Sequence, residues 1–389
     1  MKKIKVLHIT QATIGGTLEY IKLFFEHLDK DQYEVCLICP SYGPMKEEIE
    51  GMGYKVYPIE MGRDINIKQD IASFFELKDA IGKIKPDLVH LHSSKAGVLG
   101  KMASYLNKVP CIYNAHGWSF SMNVSKKKKK LYALIERYTS VFCNYIVNIS
   151  DSEYELAKEY KIANENKMGI IYNGINIQEY NDTKYDIKLK EALGIPEESF
   201  VIGTVARITE QKDPIKFVEI ANKICKMHDD IYFVWVGDGE LRNSVEELIY
   251  KYDLSSKVKL VGWMSDVEKY ISIFDIGLLT SKWEGFGLSI LEYMASNKPV
   301  IASNVGGIKS IIKDGYNGKL IEADNVNEFI NAIIGLKENK EVANIYAING
   351  LNTVKEKFDI KNLINQHKNL YARVYSENRL SDKLYKRGL

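Results

Sequence analysis

Short apolar runs rich in β-branched residues alternate along this chain with amphipathic segments of helical length. The runs in the first half read "KIKVLHI", "YEVCLIC", "YKVYPIE", "DLVHLH", "PCIYNA" and "YIVNIS", and those in the second half read "FVIGTVA", "IYFVWVG", "VKLVG", "IGLLT" and "PVIAS". Nearly continuous apolar strands linked by helices are typical of parallel sheets covered on both faces. The pattern predicts an α/β protein with two Rossmann-like, doubly wound parallel-sheet domains.

The length of 389 residues suits two hydrophobic cores better than one. The apolar pattern breaks in the polar stretch "IIYNGINIQEYNDTKYDIKLKEALGIPEESF". We therefore expect an N-terminal domain over residues 1–180 and a C-terminal domain over residues 181–360. Residues 361–389 read as a helical tail, which we expect to pack back toward the first domain, although the sequence alone does not decide this.

The composition is that of an ordinary globular protein, with 46% hydrophobic and 27% charged residues. Its five scattered cysteines argue against a disulfide framework and for a reducing compartment. No signal-peptide pattern is visible, and no apolar stretch reaches the ~18 residues that a membrane span needs. We expect a cytoplasmic protein, free or held peripherally against the inner face of the cell membrane.

The net charge of +2 hides a basic region between Ser93 and Ser140, where nine basic residues face a single acid, Glu136. Five of these are consecutive, Lys126, Lys127, Lys128, Lys129 and Lys130, and the aromatic residues Trp118 and Phe120 precede them. Lysines and wedged aromatics together favour reversible docking on an anionic membrane surface. A solvated basic face and nucleic-acid binding are the alternatives; no nucleic-acid module surrounds the run, so no nucleic-acid partner is expected.

Ligands of open parallel sheets bind outside the carboxyl ends of the strands. In the loop "RITEQKDP", Arg207 and Lys212 follow a strand, and Pro214 suits the first turn of the next helix. Two cations beside a helix N-terminus can hold a diphosphate. From these residues alone, a solvated surface pair is an equal alternative.

The stretch "SKWEGFGLSILEYMASNKPVIAS" places two glutamates, Glu284 and Glu292, around a Gly-Phe-Gly turn and the start of a helix near Leu288. The glycines allow the backbone to approach a ligand, and the helix directs free N–H groups at the same space. The carboxylates could accept hydrogen bonds from sugar hydroxyls. Taken singly, each is equally an ordinary helical glutamate.

Several motifs taken in order, "RITEQKDP", "VGDGELR", "VGW", "SKWEGFGLSILEYMASNKPVIASNVGGIKSII" and "DGYNGKLIEADN", resemble the C-terminal domain of the family four retaining glycosyltransferases. That family has the GT-B fold, two Rossmann-like domains facing across a cleft, and the glutamate pair is its signature. The resemblance implies that Arg207 and Lys212 hold the donor diphosphate, Glu292 the ribose and Glu284 the transferred sugar. Further donor contacts are implied for Phe286, Gly287, Leu288 and Ser289 at the phosphates and for Gly262 and Trp263 at the base.

In the first half, Gly15 and Gly16 resemble the family's glycine loop beside the donor phosphates, and His116 resembles its histidine near the donor sugar. The catalytic set implied is thus His116, Arg207, Lys212 and Glu284. The stretches "HSSKAGVLGK" and "HGWSF" resemble bacterial capsule and exopolysaccharide enzymes that act on undecaprenyl-diphosphate-linked acceptors. Lys95 could then meet the acceptor diphosphate, with a solvated lysine as the alternative.

The resemblance implies transfer of a hexose, with retention, from a nucleotide sugar, by family frequency a UDP-sugar, to a polyprenyl-diphosphate-linked saccharide. No cofactor and no metal are expected, because the only Asp-x-Asp, Asp29 to Asp31, lies between a helix and a strand. The alternatives are a GT-B enzyme with a soluble acceptor and a non-catalytic nucleotide-sugar binder. A nicotinamide dehydrogenase is disfavoured because "TQATIGG" lacks the G-x-G-x-x-G fingerprint.

Overall fold

The computed structural model describes residues 3–121 and 124–386 and divides into two compact units. One unit comprises the chain up to Asn173 together with the residues from Ile360 onward, and the other comprises Gly174–Asp359. Each unit is built on one fully parallel sheet, so the predicted α/β class with two parallel-sheet domains is confirmed. The first unit ends at Asn173, inside the polar stretch where the apolar pattern breaks, rather than at residue 180.

The first unit has a seven-stranded sheet in the order β3-β2-β1-β4-β5-β6-β7. Its strands are β1 (Ile4–Thr10), β2 (Tyr33–Cys39), β3 (Lys55–Pro58), β4 (Leu88–His92), β5 (Cys111–Asn114), β6 (Tyr145–Asn148) and β7 (Met168–Ile170). Its helices are α1 (Gly16–His27), α2 (Met45–Gly51), α3 (Ile67–Ile84), α4 (Ser94–Leu106), α5 (Lys126–Thr139), α6 (Asp151–Glu159) and α15 (Ile360–Lys386). Short 3-10 helices lie at Ser140–Phe142 and Glu165–Lys167.

The tail helix α15 belongs to the first unit. Its apolar face carries Leu363, Tyr371 and Val374, which are buried in the same cluster as Phe24 of α1. His367 of α15 also contacts Tyr20 of α1 through a 3.2 Å hydrogen bond between the Tyr20 hydroxyl and Nε2. The tail therefore covers one face of the first sheet and completes its core.

The second unit has a six-stranded sheet in the order β10-β9-β8-β11-β12-β13. Its strands are β8 (Phe200–Val205), β9 (Ile231–Val236), β10 (Val258–Gly262), β11 (Ile276–Leu279), β12 (Val300–Ser303) and β13 (Lys319–Ile321). Its helices are α7 (Ile177–Asn181), α8 (Ile187–Ala192), α9 (Pro214–Cys225), α10 (Arg242–Lys251), α11 (Val267–Ser272), α12 (Leu288–Ala295), α13 (Val326–Glu338) and α14 (Lys340–Lys357). Short 3-10 helices lie at Glu210–Lys212 and Gly306–Ser310.

The strands predicted from apolar runs are all present, whereas β7 and β13 escaped prediction. Each of these two is a three-residue strand at the edge of its sheet. Continuous apolar runs predict the central strands well. Every residue of β11 and β12, for example, is buried, because helices cover both faces of the sheet. A three-residue strand contributes too short an apolar run to stand out in the sequence.

The order of the second sheet reverses direction at its centre. The chain runs outward from β8 through β9 to β10, then returns to β11 on the other side of β8 and runs outward through β12 to β13. The connections that follow β8 and β11 therefore lead toward opposite ends of the sheet. A crevice at such a switch point is the usual ligand site of a parallel sheet.

Candidate active site

The loops that follow β8 and β11 meet through the carboxylate of Glu284. Lys212, at the end of the 3-10 helix after β8, forms an ion pair with Glu284 Oε1. Ser281 Oγ donates to the same oxygen at 2.9 Å, and Gln211 Nε2 donates to Oε2 at 3.4 Å. The Glu284 side chain is only 6% exposed, so these three donors offset the cost of burying its carboxylate.

Further bonds hold these two loops together. Lys282 N donates to the Gln211 carbonyl at 2.8 Å, and Gln211 Nε2 also donates to the Trp283 carbonyl at 3.1 Å. Thr280 Oγ1 donates to the Lys212 carbonyl at 3.0 Å. The geometry of Glu284 is therefore set by backbone contacts as well as by its own partners.

A glycine pair after β12 supports Glu284 from the other side. Gly307 N donates to the Glu284 carbonyl at 3.0 Å. A Cβ added at Gly306 would overlap that carbonyl oxygen, and one added at Gly307 would overlap the carbonyl oxygen of Gly285. Only glycine permits this close approach of two backbones.

The helix α12 begins where the sequence predicted, at Leu288, with Gly287 as its N-cap at φ 101°. Glu292 lies one turn into this helix and is half-buried. Its neighbour Tyr293 is fully buried, and Val205 N at the end of β8 donates to the Tyr293 hydroxyl at 2.6 Å. Burial raises the pKa of Tyr293, and the negative charge of Glu292 raises it further. The hydroxyl of Tyr293 thus ties α12 to the carboxyl end of β8.

The remaining donor-contact predictions of the second unit fall on the same edge of the sheet. Arg207 follows β8 by two residues and is half-buried, and no hydrogen bond or ion pair engages its guanidinium among the residues that the structure describes. Gly262 ends β10 at φ 91°, and the indole of Trp263 beside it is 58% exposed. Of the predicted phosphate contacts, the Phe286 and Ser289 side chains are buried, which leaves backbone groups as their means of contact.

The loop "VGDGELR" packs closely against the loop that follows β8. Asp238 Oδ1 accepts from Gly239 N at 2.7 Å, and its carbonyl accepts from Ile208 N at 2.9 Å. A Cβ at Gly237 or Gly239 would overlap backbone atoms of the loop after β8. Asp238 therefore organises the loop that carries Arg207.

In the first unit, Gly15 and Gly16 join β1 to α1, with Gly15 at φ 67° as the helix N-cap. His116 follows β5 with a left-handed backbone at φ 52° and is half-buried. Its Nε2 lies 2.8 Å from His92 Nδ1. Whether these residues contact a donor stays a prediction.

His116 belongs to a group of histidines that the sequence did not bring together, here called the imidazole cluster: His8, His90, His92, His116 and His367. Burial lowers the pKa of every member, to about 3 for His8 and His116, to about 4 for His367 and well below the ordinary range for His90 and His92. All five imidazoles are therefore neutral at physiological pH.

Three members of the cluster, His8, His90 and His92, bring ligand nitrogens within 4.8 Å of one another. The rings of His8 and His92 are nearly parallel at 7°, and Nδ1 of His8 hydrogen-bonds Nε2 of His92 at 2.9 Å. Nδ1 of His90 hydrogen-bonds the Tyr371 hydroxyl at 2.6 Å. Nδ1 of each of the three histidines takes part in a hydrogen bond to another side chain, as does Nε2 of His92. Nε2 of His8 and Nε2 of His90 are buried without a hydrogen-bond partner in the described part of the chain.

Lys95 lies in the first turn of α4, as the acceptor-diphosphate hypothesis requires. Its ammonium is already engaged, however, by Asp70 Oδ1 at 2.5 Å and by the Asp64 carbonyl at 2.7 Å. The side chain is only 10% exposed, so it is not the solvated lysine of the alternative. An acceptor phosphate would have to compete with Asp70.

The prediction that Trp118 and Phe120 contact lipid is wrong. Trp118 is 0% and Phe120 1% exposed, and their rings stack at 5.1 Å inside the core of the first unit. The Trp118 indole donates to Asn148 Oδ1 and to the Glu153 carbonyl, both at 3.1 Å. A turn after β5 directs both rings inward, which the sequence motif did not reveal.

The lysines 126–130 form the first turns of α5 and, apart from the half-buried Lys129, are exposed. Cations at a helix N-terminus are disfavoured by the helix dipole, so the run creates a positive potential that its own helix does not neutralise. Further along α5, Glu136 turns inward to a buried ion pair with Lys101 at 2.8 Å. Within the described ranges, no helix is both long and apolar enough to cross a bilayer.

Comparison with known proteins places the chain in a family. A profile described as "Glycosyltransferase Family 4" matches residues 14–179, and one described as "Glycosyl transferases group 1" matches residues 186–353. The chain is 31% identical over 379 residues to the UDP-Gal:alpha-D-GlcNAc-diphosphoundecaprenol alpha-1,3-galactosyltransferase of Escherichia coli, covering 95% of this chain and 97% of that protein. The chain belongs to the family 4 glycosyltransferases.

Other relatives agree with this assignment. The glycosyltransferase is 25% identical over 385 residues to the capsular polysaccharide biosynthesis glycosyltransferase CapM of Staphylococcus aureus, covering 95% of this chain and 97% of that one. Its fold matches the crystal structure of Anabaena HepE in complex with UDP and glucose at a TM-score of 0.82, with 21% identity and coverage of 95% and 99%. The resemblance drawn from the glutamate pair and its neighbouring motifs is thereby confirmed, and so is the fold it implied.

Some residues around the candidate site escaped the sequence analysis. Gln211, Ser281 and the Gly306–Gly307 pair hold Glu284 in place, yet they carry no distinctive signal singly. The glycine pair in "NVGGI", directly after an apolar run, was the one visible hint, since adjacent glycines after a strand suggest close backbone approach.

Proposed function

We propose that this glycosyltransferase moves a hexose from a UDP-sugar, with retention of configuration, to a polyprenyl-diphosphate-linked saccharide at an anionic membrane surface. The observation that carries the proposal is the Lys212–Glu284 pair in the loops that follow the two central strands of the second sheet, held by Ser281 and Gln211. The name of the E. coli relative, which covers nearly the whole chain, supports the nucleotide and the acceptor class.

The side chains of the second unit supply the groups that donor binding needs. Arg207 and Lys212 provide positive charge for the diphosphate, and the N-terminus of α12 adds N–H dipoles. Glu284 offers acceptors to the sugar hydroxyls, and Glu292 offers them to the ribose. In the reaction the bond from the sugar C1 to the phosphate oxygen breaks, and a bond from C1 to the acceptor oxygen forms on the same face. The acceptor proton passes to the departing phosphate oxygen.

A test combines purified protein with a panel of nucleotide sugars and a short polyprenyl-diphosphate sugar, and follows products by mass spectrometry and their anomeric configuration by NMR. We expect Glu284→Gln and Lys212→Met each to lower kcat/KM by about 100-fold or more. Glu210→Gln is the matched control, because this glutamate lies in the same loop but is exposed.

Three results would contradict different parts of the proposal. Full activity in Glu284→Gln and Lys212→Met would contradict the assignment of these residues to the active site. A product with inverted anomeric configuration would contradict the retaining mechanism. Transfer to a water-soluble saccharide but not to the lipid-linked one would favour the soluble-acceptor alternative.

The membrane part of the proposal rests on α5 and its surroundings. Leu131, Leu134 and Tyr138 are exposed at helical spacing along α5, and Val141 continues the stripe in the 3-10 helix that follows. Tyr105, at the end of α4, adds an exposed ring 4.9 Å from Phe142. An exposed apolar stripe that follows a lysine run on one helix matches the charge and depth of an anionic lipid interface.

Sedimentation with liposomes tests this docking. We expect binding to vesicles of phosphatidylglycerol and phosphatidylcholine to fall when Lys126–Lys130 are changed to Ser, and also when Leu131 and Leu134 are changed to Ser. The control changes Ile67 and Ile71 of α3 to Ser, since these are also exposed apolar residues but lie on a different helix. Unchanged pelleting of both the lysine and the leucine variants would refute docking through α5.

A further inference from the structure

Three members of the imidazole cluster form a continuous hydrogen-bonded row, here called the imidazole row. Nδ1 of His8 lies 2.9 Å from Nε2 of His92, and Nδ1 of His92 lies 2.8 Å from Nε2 of His116. The residues come from β1, from the last position of β4 and from the loop after β5. His8 and His92 are fully buried, whereas His116 is partly open to the surface.

Proton counting leaves two arrangements for this row. A neutral imidazole carries one N–H and one bare nitrogen, and burial, complete for His8 and His92 and partial for His116, keeps the three rings neutral. Both hydrogen bonds must then run in the same direction along the row. Either His8 donates to His92 and His92 to His116, or the two donations are reversed.

The inner end of the row decides between them. Nε2 of His8 is buried without a hydrogen-bond partner among the described residues, and the ring lies against Phe24 at 5.4 Å and Phe25 at 4.8 Å. A buried N–H without an acceptor is rarer in proteins than an acceptor that lacks a donor. Nε2 of His8 is therefore the bare nitrogen, and its proton is on Nδ1.

The proton position on His8 then fixes the donor and acceptor of each hydrogen bond along the row, as far as His116. His8 Nδ1–H donates to His92 Nε2, so the proton of His92 is on Nδ1 and is donated to His116 Nε2. His116 in turn carries its proton on Nδ1. That atom makes no hydrogen bond to a residue the structure describes, so it is available to a ligand.

We infer that His8 and His92 are positioning residues that hold His116 in its Nδ1–H tautomer. His116 then presents a hydrogen-bond donor, suited to a hydroxyl or phosphate oxygen, and cannot act there as a general base. The tautomer follows from the first unit alone, while its use on a sugar donor or acceptor rests on the proposed function.

The direct test is the ¹⁵N NMR spectrum of the full-length protein labelled in histidine, recorded without substrate. We expect His116 to show a protonated Nδ1 and a bare Nε2. His27 and His228, which lie outside the cluster, serve as internal references in the same spectrum. A proton on Nε2 of His116 in the unaltered protein would overturn the inference, with no variant required.

Variants then test the coupling along the row. His8→Phe removes the inner donor, and we expect the Nδ1–H population of His116 to fall and kcat/KM to fall about tenfold. His90→Gln is the control, because His90 is equally buried in the cluster but bonds to Tyr371 rather than to the row. An unchanged His116 tautomer in folded His8→Phe would overturn the role of His8. Because the spectra need no substrate, failure of the transfer reaction itself would not be mistaken for failure of this inference.

Discussion

Mild acid should destabilise the first unit, because the histidines of its imidazole cluster take up protons when the chain unfolds. The five histidines have pKa values far below the ordinary 6.5 in the folded protein. Between their folded and unfolded pKa values, the unfolded state binds more protons than the folded state. The free energy of unfolding therefore falls as pH falls through 6.5.

The size of the effect follows from that difference. Lowering the pH from 7 to 5.5 protonates an unfolded histidine almost completely, which costs the folded state about 1 to 1.5 kcal/mol for each buried imidazole. The cluster of five therefore loses about 6 kcal/mol, a large part of the roughly 5 to 15 kcal/mol that stabilises a typical domain.

Protonation of one buried carboxyl group in the same unit has the opposite effect on the free energy of unfolding. Burial raises the pKa of Glu153 to about 7, and the Trp118 amide, which donates to its Oε2 at 2.8 Å, only partly offsets this. The folded state then binds the extra proton between pH 7 and the ordinary carboxyl range, so acid stabilises it by about 1 to 2 kcal/mol. The expected net loss between pH 7 and pH 5.5 is about 4 to 5 kcal/mol.

Chemical denaturation at a series of pH values measures this loss, and hydrogen exchange of the β1 and β4 amides assigns it to the first unit. His367→Gln should reduce the slope by about one proton, because it removes one buried imidazole. His228→Gln, in the second unit, is the control, because it leaves the imidazole cluster intact. A free energy of unfolding for β1 and β4 that stays level between pH 7 and pH 5.5 would refute the reasoning.

Three further predictions concern individual contacts. Glu136→Gln should lower the free energy of unfolding by about 3 kcal/mol in denaturation experiments, because it leaves the buried Lys101 ammonium without a countercharge. A decrease below about 1 kcal/mol would mean that the Lys101–Glu136 ion pair is not needed for stability. Gly306→Ala should abolish most transfer activity, because the added methyl group would displace the loop that carries Glu284. Gly315→Ala is the control, since Gly315 also has a positive φ but has open space around it. Equal activities of the two variants would show that the close backbone approach at Gly306 is unimportant. Trp118→Phe should lower the free energy of unfolding by about 2 kcal/mol yet leave liposome binding intact. Reduced pelleting of the folded variant with liposomes would indicate that Trp118 contacts the membrane after all.

The sequence by itself determined the fold class, the central strands and the residues proposed for the donor site. Continuous apolar runs mark buried parallel strands, because helices cover both faces and every position faces a core. The charged and glycine-rich segments at their carboxyl ends, with Arg207, Lys212, Glu284 and Glu292, could be located because a parallel sheet collects those ends at one edge.

The tertiary structure alone decided which side chains meet and which way they face. Glu284 and Lys212 are distant in sequence, and their pairing depends on β8 and β11 being neighbours in the sheet. Trp118 looked like a membrane anchor beside a lysine run, yet the turn after β5 buries it. The imidazole cluster joins histidines from β1, β4, the loop after β5 and the tail helix, and no local pattern records such contacts. Periodicity reports the burial of each residue, whereas partner choice depends on strand order and helix docking, which arise only when the whole chain has folded.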